Sequence, residues 1–334
     1  MRWKVLITDH VWPSTGPEAE VLEAGGAQVV VSPDSDEDTL VTLAKDVDGI
    51  MTCFANVTER VVRAAGKSVV IGRFGVGVDN IAVDIATELG IAVTYVPDYC
   101  VDEVSDHVMA LLHSWNRKIV LFDRSVKTTG WGSLPLTMRM KRLRGKTIGI
   151  VGFGRIGQAV AVKARAFGLN VLASDPVVPT STVESFGGLL VDQTTLLRES
   201  DFVSLHAPLT PETQGMIGTA ELEAMKQDAF IINAARGPLI DEDALYQALV
   251  NGQIAGAGLD VMADNIPDQN HPLIGLDNTI ITPHVAFFSQ EATLELERRA
   301  AGEVVSVLQG KMPDHLVNSA VLEHPNPRHS LSRS

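Results

Sequence analysis

The chain has 334 residues, 41 acidic and 27 basic, for a formal charge of −14. That balance, with no stripe of Lys and Arg to track phosphates, argues against a nucleic-acid partner, and two cysteines are too few for a disulfide framework and read as a reducing compartment. No apolar run approaches the ~18 residues of a membrane span, and the N-terminal apolar stretch stops at Asp9, short of a signal peptide, so a soluble, cytoplasmic protein is expected.

Apolar residues make up 45% of the sequence and aromatics only 5%. The cores must therefore be aliphatic, and the length suits two domains. Lys4–Thr8, Gln28–Val31, Gly49–Thr52, Val69–Gly72 and Ile91–Thr94 read as short buried strands. Helical patterns at Pro17–Ala24, from Asp36 to Lys45, from Glu59 and from Val83 separate them. Strands alternating with helices imply a parallel sheet. From Val101 to about Thr129 the pattern reads as one long helix with an apolar face suited to a two-fold dimer. The basic stretch Arg139–Lys146 reads as a solvated linker.

A second series begins at Lys146–Val151 and continues with Val171–Ser174, Phe202–His206, Ala229–Asn233, Ala255–Asp260 and Thr279–Thr282. A helix over 290–308, then Val317–Asn318 and a polar tail, close the chain. The expected fold class is α/β. A Rossmann domain over 102–289 is inserted into a flavodoxin-like parallel α/β domain made of 1–101 and 290–334, with disorder after about residue 322.

The strongest local signal is KTIGIVGFGRIG at 146–157. A β-branched strand runs into Gly152-x-Gly154-x-x-Gly157 and an Ala-rich helix follows, the arrangement that seats a dinucleotide pyrophosphate on a helix N-terminus. Arg155 and Ile156 open that helix and belong to the same predicted cradle. Asp175 ends the next strand, 18 residues after the third glycine, where an acid accepts the ribose hydroxyls and repels a 2′-phosphate. No Arg follows in Pro176–Val178, so NAD rather than NADP is the expected cofactor. No metal is expected.

Three further segments lie at predicted strand ends: Asn233–Gly237, Gly258–Asp260 and Thr282–His284. With INAARGPLIDEDAL, GAGLDV and TPH in order, and RFGVGVDNI at Arg73–Ile81, the chain resembles the D-isomer-specific 2-hydroxyacid dehydrogenase family over roughly 4–320. PDYCVDEVSDH and the stretch from Thr282 to Asn318 look like the branch holding the C-terminal-binding-protein corepressors and their bacterial enzyme relatives.

The resemblance implies an NAD-dependent oxidoreductase acting on a small carboxylate between two closing domains, as a homodimer. Arg236 would clamp the substrate carboxylate and carbonyl with its planar fork, aided by the N–H groups of Val76 and Gly77. His284 would be the proton relay. Asp260 would sit by the nicotinamide. His206, Pro208, Thr213 and Ala234 would line the cofactor. Phe54 would wall the substrate, and Phe287 and Phe288 would either wall it or pack the core. His107 has no such support as an acid or base. Cys53 reads as a small buried side chain rather than a nucleophile.

One position departs from the pattern. Where most members carry a glutamate that partners the histidine, this chain has Asn265, with Asp264 adjacent. An amide can orient His284 but cannot stabilise imidazolium by charge, so a lower His284 pKa than in glutamate-bearing relatives is expected. The same amide leaves two other readings open: an NAD-sensing binding protein with weak catalysis, or oxidation of another small anion such as formate.

Overall fold

The computed structural model describes residues 2–132, 140–264, 267–329 and 331. The chain forms two compact units, Met1–Tyr99 with Ser289–Ser334, and Cys100–Phe288. Among the described residues no helix is long and apolar enough to cross a membrane.

The first unit runs β1 (Trp3–Ile7), α1 (Gly16–Ala24), β2 (Ala27–Val31), α2 (Glu37–Ala44), β3 (Gly49–Thr52), α3 (Glu59–Ala64), β4 (Val70–Arg73), α4 (Val83–Glu88) and β5 (Ala92–Thr94). Its strands pair in parallel in the order β2-β1-β3-β4-β5, the flavodoxin-like order. Leu6, Ile50, Ile71 and Val93 are fully buried on one face of this sheet. Each such side chain contributes roughly 1.5–3 kcal/mol when removed from water.

The second unit opens with α5 (Val101–Arg117) and α6 (Ile119–Thr129). It continues with β6 (Thr147–Val151), α7 (Arg155–Ala166), β7 (Asn170–Ser174), α8 (Thr180–Ser185), β8 (Leu189–Leu190), α9 (Gln193–Glu199) and β9 (Phe202–Leu205). Then come α10 (Thr219–Ala224), β10 (Phe230–Asn233), α11 (Glu242–Val250), β11 (Gly256–Leu259) and β12 (Thr279–Ile281). All pairs are parallel, in the order β12-β11-β10-β9-β6-β7-β8. Apolar clusters cover both faces, one around Val203, Ile231 and Leu245, the other around Ile150, Val160 and Phe230.

α12 (Gln290–Leu308), capped by the Ser289 hydroxyl, then packs on the first sheet. Gly72 in β4 permits that approach, since a Cβ there would lie 2.5 Å from Val304.

Two expectations need correction. The stretch from Val101 to Thr129 is two helices, because Lys118 adopts a left-handed conformation (φ 56°) that ends the first. Its amino group lies 3.1 Å from the centre of the Trp115 ring. The apolar repeat continues through the break, so periodicity alone could not show it.

Residues 318–329 and 331 also lie against the first unit, where disorder is expected after about 322. Asn318 accepts from the Val93 N–H and donates to Ile91 O and Thr87 Oγ1. Arg328 donates from its backbone to Gly90 O and from Nη1 to Ala65 O, while Leu331 is 9% exposed. The polar residues of the tail satisfy open helix-end carbonyls, a use that composition does not register.

α1 and α12 also bury two carboxyl groups. Glu18 is fully buried, accepting from Trp12 Nε1 at 3.0 Å, and Glu297 is 4% exposed. Burial first, and the neighbouring Glu18 charge second, push the Glu297 pKa to about 7 from 4.5. A raised carboxyl pKa means the folded state holds a proton that the unfolded chain releases, so stability falls between pH 4.5 and 7 and stays reduced above. Glu297→Gln is therefore expected to raise the melting temperature at pH 8 and to leave it unchanged near pH 5. Thermal melts at both values check this, and an equal shift at both would refute it.

Candidate active site

Strand register builds the site in the second unit. Ser174 pairs with Val151, Val151 with Leu205, Leu205 with Asn233, Asn233 with Leu259 and Leu259 with Ile281. This is a single row across six strands at their carboxyl ends. The residues that follow the row are Asp175, Gly152, His206, Ala234, Asp260 and Thr282. Five of these six are sequence-predicted site residues, brought to one edge by parallel pairing. The strand order reverses between β6 and β9, the position where open α/β sheets bind ligands.

The three glycines have separable jobs. Gly152 has φ 87° and a Cβ there would strike the His206–Ala207 backbone at 2.7 Å. A Cβ at Gly157 would lie 2.4 Å from Gly152 O, so this glycine lets the helix close on the strand. Gly154 is the N-cap of α7, has no side-chain cap, and faces open space within 4 Å. Uncapped N–H groups before an open space suit an anion, and the twelve-residue helix behind them adds its dipole. Arg155 and Ile156 are its first residues. These features fit a dinucleotide pyrophosphate.

Asp175 braces the same turn. Oδ2 accepts from Phe153 N–H at 2.8 Å, and Oδ1 from Val177 and Val178 N–H at 2.8 and 3.0 Å. Burial alone would raise its pKa, but those three N–H groups outweigh that and hold it below the usual carboxylate value. It is a fixed negative charge. Burial pushes the His206 pKa down to about 4, and its Nε2 lies 2.8 Å from Ser204 Oγ, so it is a neutral lining group near pH 7. Pro208 and Thr213 share one turn, the threonine hydroxyl donating to Pro208 O at 2.7 Å.

Arg236 leaves the end of β10 on a turn held by Asn233, whose Nδ2 donates to Arg236 O at 2.8 Å and whose Oδ1 accepts from Ala235 N–H. The next residue must be glycine. A Cβ on Gly237 would sit 2.0 Å from the Met262 backbone. Arg236 Nη1 donates to Ala235 O at 2.8 Å.

His284 has φ 54°, an uncommon conformation for a residue with a Cβ. Its N–H donates to Asp260 O at 2.7 Å. The Asp260 carboxylate, 1% exposed, accepts from Thr282 Oγ1 at 2.6 Å, Val285 N–H at 3.0 Å and Ala286 N–H at 2.9 Å. Beyond the cofactor contact expected of it, Asp260 thus holds the turn that carries His284. The Phe287 ring meets the His284 ring edge-on at 6.1 Å, while Phe288 is 52% exposed and does not pack the core. Asn265 lies outside the described residues.

In the first unit, the loops after β3 and β4 are tied together. The Asp9 carboxylate accepts from the N–H groups of Cys53, Phe54 and Ala55 at 2.9, 2.6 and 3.1 Å. Asn80 Nδ2 donates to Ala55 O at 2.8 Å. Arg73, buried, donates from Nε to Gly77 O at 2.9 Å and from Nη1 to Phe74 O. Phe54, Val76 and Gly77 therefore sit on braced loops. Asp9 and Arg73 were missed as supports, although both stand at strand carboxyl ends. Burial pushes the Cys53 thiol up to about 12, which keeps it protonated and inert.

Residues 109–286 match the family described as D-isomer specific 2-hydroxyacid dehydrogenase, NAD binding domain. The chain belongs to that family. A glyoxylate reductase of Thermococcus litoralis is 40% identical over 294 residues, 86% of this chain and 88% of that one. A D-3-phosphoglycerate dehydrogenase of Methanocaldococcus jannaschii is 41% identical over 94% of this chain, which spans only 59% of that protein's length. Among solved structures, a D-lactate dehydrogenase from Aquifex aeolicus complexed with NAD and lactic acid superposes with a TM-score of 0.86 at 28% identity, covering 94% of this chain and 98% of that one. The second unit is thus an NAD-binding domain of an oxidoreductase family.

Proposed function

We propose that this protein is an NAD-dependent dehydrogenase that interconverts small D-2-hydroxy acids and 2-keto acids. What carries the reading is the row of strand ends: Arg236 and His284 leave strands two apart on the edge that bears the glycine turn. Neighbouring strands lie about 4.8 Å apart, so the two loops emerge about 10 Å from each other. A small acid fits between groups at that separation.

Bound NADH supplies the hydride. Arg236 holds the carboxylate and the carbonyl oxygen through paired charge-assisted hydrogen bonds. His284 gives its proton to that oxygen during reduction and takes it back during oxidation. Phe287, whose ring meets that of His284, belongs to the substrate side of the same reading. Several glyoxylate reductases match over nearly equal shares of both lengths, so glyoxylate is the first acid to try. The fixed charge of Asp175 favours NADH over NADPH.

The test is NADH oxidation at 340 nm against glyoxylate, hydroxypyruvate, pyruvate and longer 2-keto acids, with NADPH run in parallel. Turnover with NADH at least tenfold above NADPH is expected. NADH binding without turnover of any acid would replace this reading with that of an NAD-sensing binding protein. The active species is taken to be a homodimer. α6 buries none of its residues in the unit, and Ile119, Val120 and Trp131 are 54%, 52% and 94% exposed. Light scattering giving the mass of one chain would rule the dimer out.

A further inference from the structure

We propose that His107, a residue of α5, is a positioning residue for His284, acting through Thr282 and the Asp260 carboxylate. The proposal rests on the reading of His284 given above.

The chain of bonds is directional. An ionised carboxylate only accepts hydrogen bonds, so the 2.6 Å contact between Thr282 Oγ1 and Asp260 Oδ1 uses the threonine proton. The 2.9 Å contact between His107 Nε2 and Thr282 Oγ1 must then be donated by the imidazole. His107 is thereby assigned as protonated on Nε2, with that nitrogen also 3.5 Å from Asp260 Oδ1.

The relay ends on the backbone around His284. The Asp260 carbonyl takes the His284 N–H, while its carboxylate takes the two N–H groups that follow. These bonds oppose the strain of the left-handed conformation, which a residue with a Cβ rarely adopts. His107 and Thr282 are 175 residues apart in sequence, and α5 also packs on β10 and β11. A helix anchored in the NAD-binding core therefore sets the carboxylate that sets the turn. His107 faces the Asp260 carboxylate, which also takes the N–H groups of the turn.

A 1 Å misplacement of a catalytic group costs about 100-fold in rate. His107→Phe, which keeps a ring and removes the donor, is expected to lower kcat about 10- to 100-fold. The KM for the keto acid and the Kd for NADH should stay within about twofold. His107→Gln, which can still donate to Thr282, should recover most of kcat. Thr282→Val and Thr282→Ser repeat the comparison from the middle of the relay in case His107→Phe does not fold.

In protein labelled with ¹⁵N at histidine, the His284 imidazole should give one sharp signal. That signal should broaden or split in His107→Phe and return to one signal in His107→Gln. Unchanged kcat and an unchanged signal in His107→Phe would overturn the proposal. So would equal losses in the phenylalanine and glutamine variants together with weakened NADH binding, which mark a general structural role. If the unaltered protein turns over no 2-keto acid, the dehydrogenase reading fails, and the imidazole signals still decide whether His107 positions His284.

Discussion

Replacing His284 by asparagine is expected to lower kcat for a 2-keto acid by about 10²- to 10⁴-fold, the range that general acid–base catalysis contributes. Asparagine is the informative choice because it tolerates the left-handed conformation that His284 adopts at φ 54°. The turn, the Asp260 carboxylate and the bonds from Val285 and Ala286 should therefore survive. Only the titrating group is lost. NADH affinity, read by fluorescence titration, should hold within about twofold, because the pyrophosphate cradle and Asp175 lie at the other strands of the row. The pH dependence of kcat should flatten as well. A variant that keeps more than a tenth of wild-type kcat would remove His284 from the chemistry.

The second large effect concerns Arg236. A hydrogen bond to a charged group is worth about 1.5–3 kcal/mol, so a lost fork of two bonds corresponds to about 10²- to 10⁴-fold in kcat/KM. Arg236→Gln should show the full loss. Arg236→Lys keeps the charge but replaces a planar fork by a point charge, and should recover only part of it. The turn itself should tolerate both changes, since Asn233 holds it through backbone atoms and Gly237 still packs on Met262. If the substrate carboxylate is the target, KM should rise more than kcat falls in the lysine variant. Steady-state kinetics with glyoxylate and with a longer 2-keto acid test this. Equal activity of the lysine variant and wild type would show that charge alone suffices.

Much of the candidate cofactor edge is legible in the sequence, for a local reason. The Gly152, Gly154 and Gly157 spacing reports backbone demands that arise within a few residues, and the structure meets each of them with a contact that a Cβ would break or an open space it would fill. Asp175 is placed by strand length after that turn, and parallel pairing carries it to the same row. The row itself follows once each apolar run is read as a buried parallel strand, because such strands present all their carboxyl ends together.

Other features depended on partners that no local pattern names. The apolar repeat runs through Lys118, and only the tertiary placement of its amino group against Trp115 accompanies the break between α5 and α6. The tail is polar in composition, yet Arg328 finds the carbonyls of Ala65 and Gly90. Asp9 reads as the end of an apolar stretch, and its three N–H partners lie in the loop after β3.

By itself, then, the sequence determined two series of buried parallel strands, a dinucleotide turn and the family to which the chain belongs. These rest on periodicity, glycine stereochemistry and short motifs, all encoded within a few residues. Tertiary structure alone decided which distant groups meet: His107 with Thr282, Asp260 with the turn of His284, Glu18 beside Glu297. Such pairings follow from strand register and helix packing, which bring residues together across separations that sequence spacing does not record.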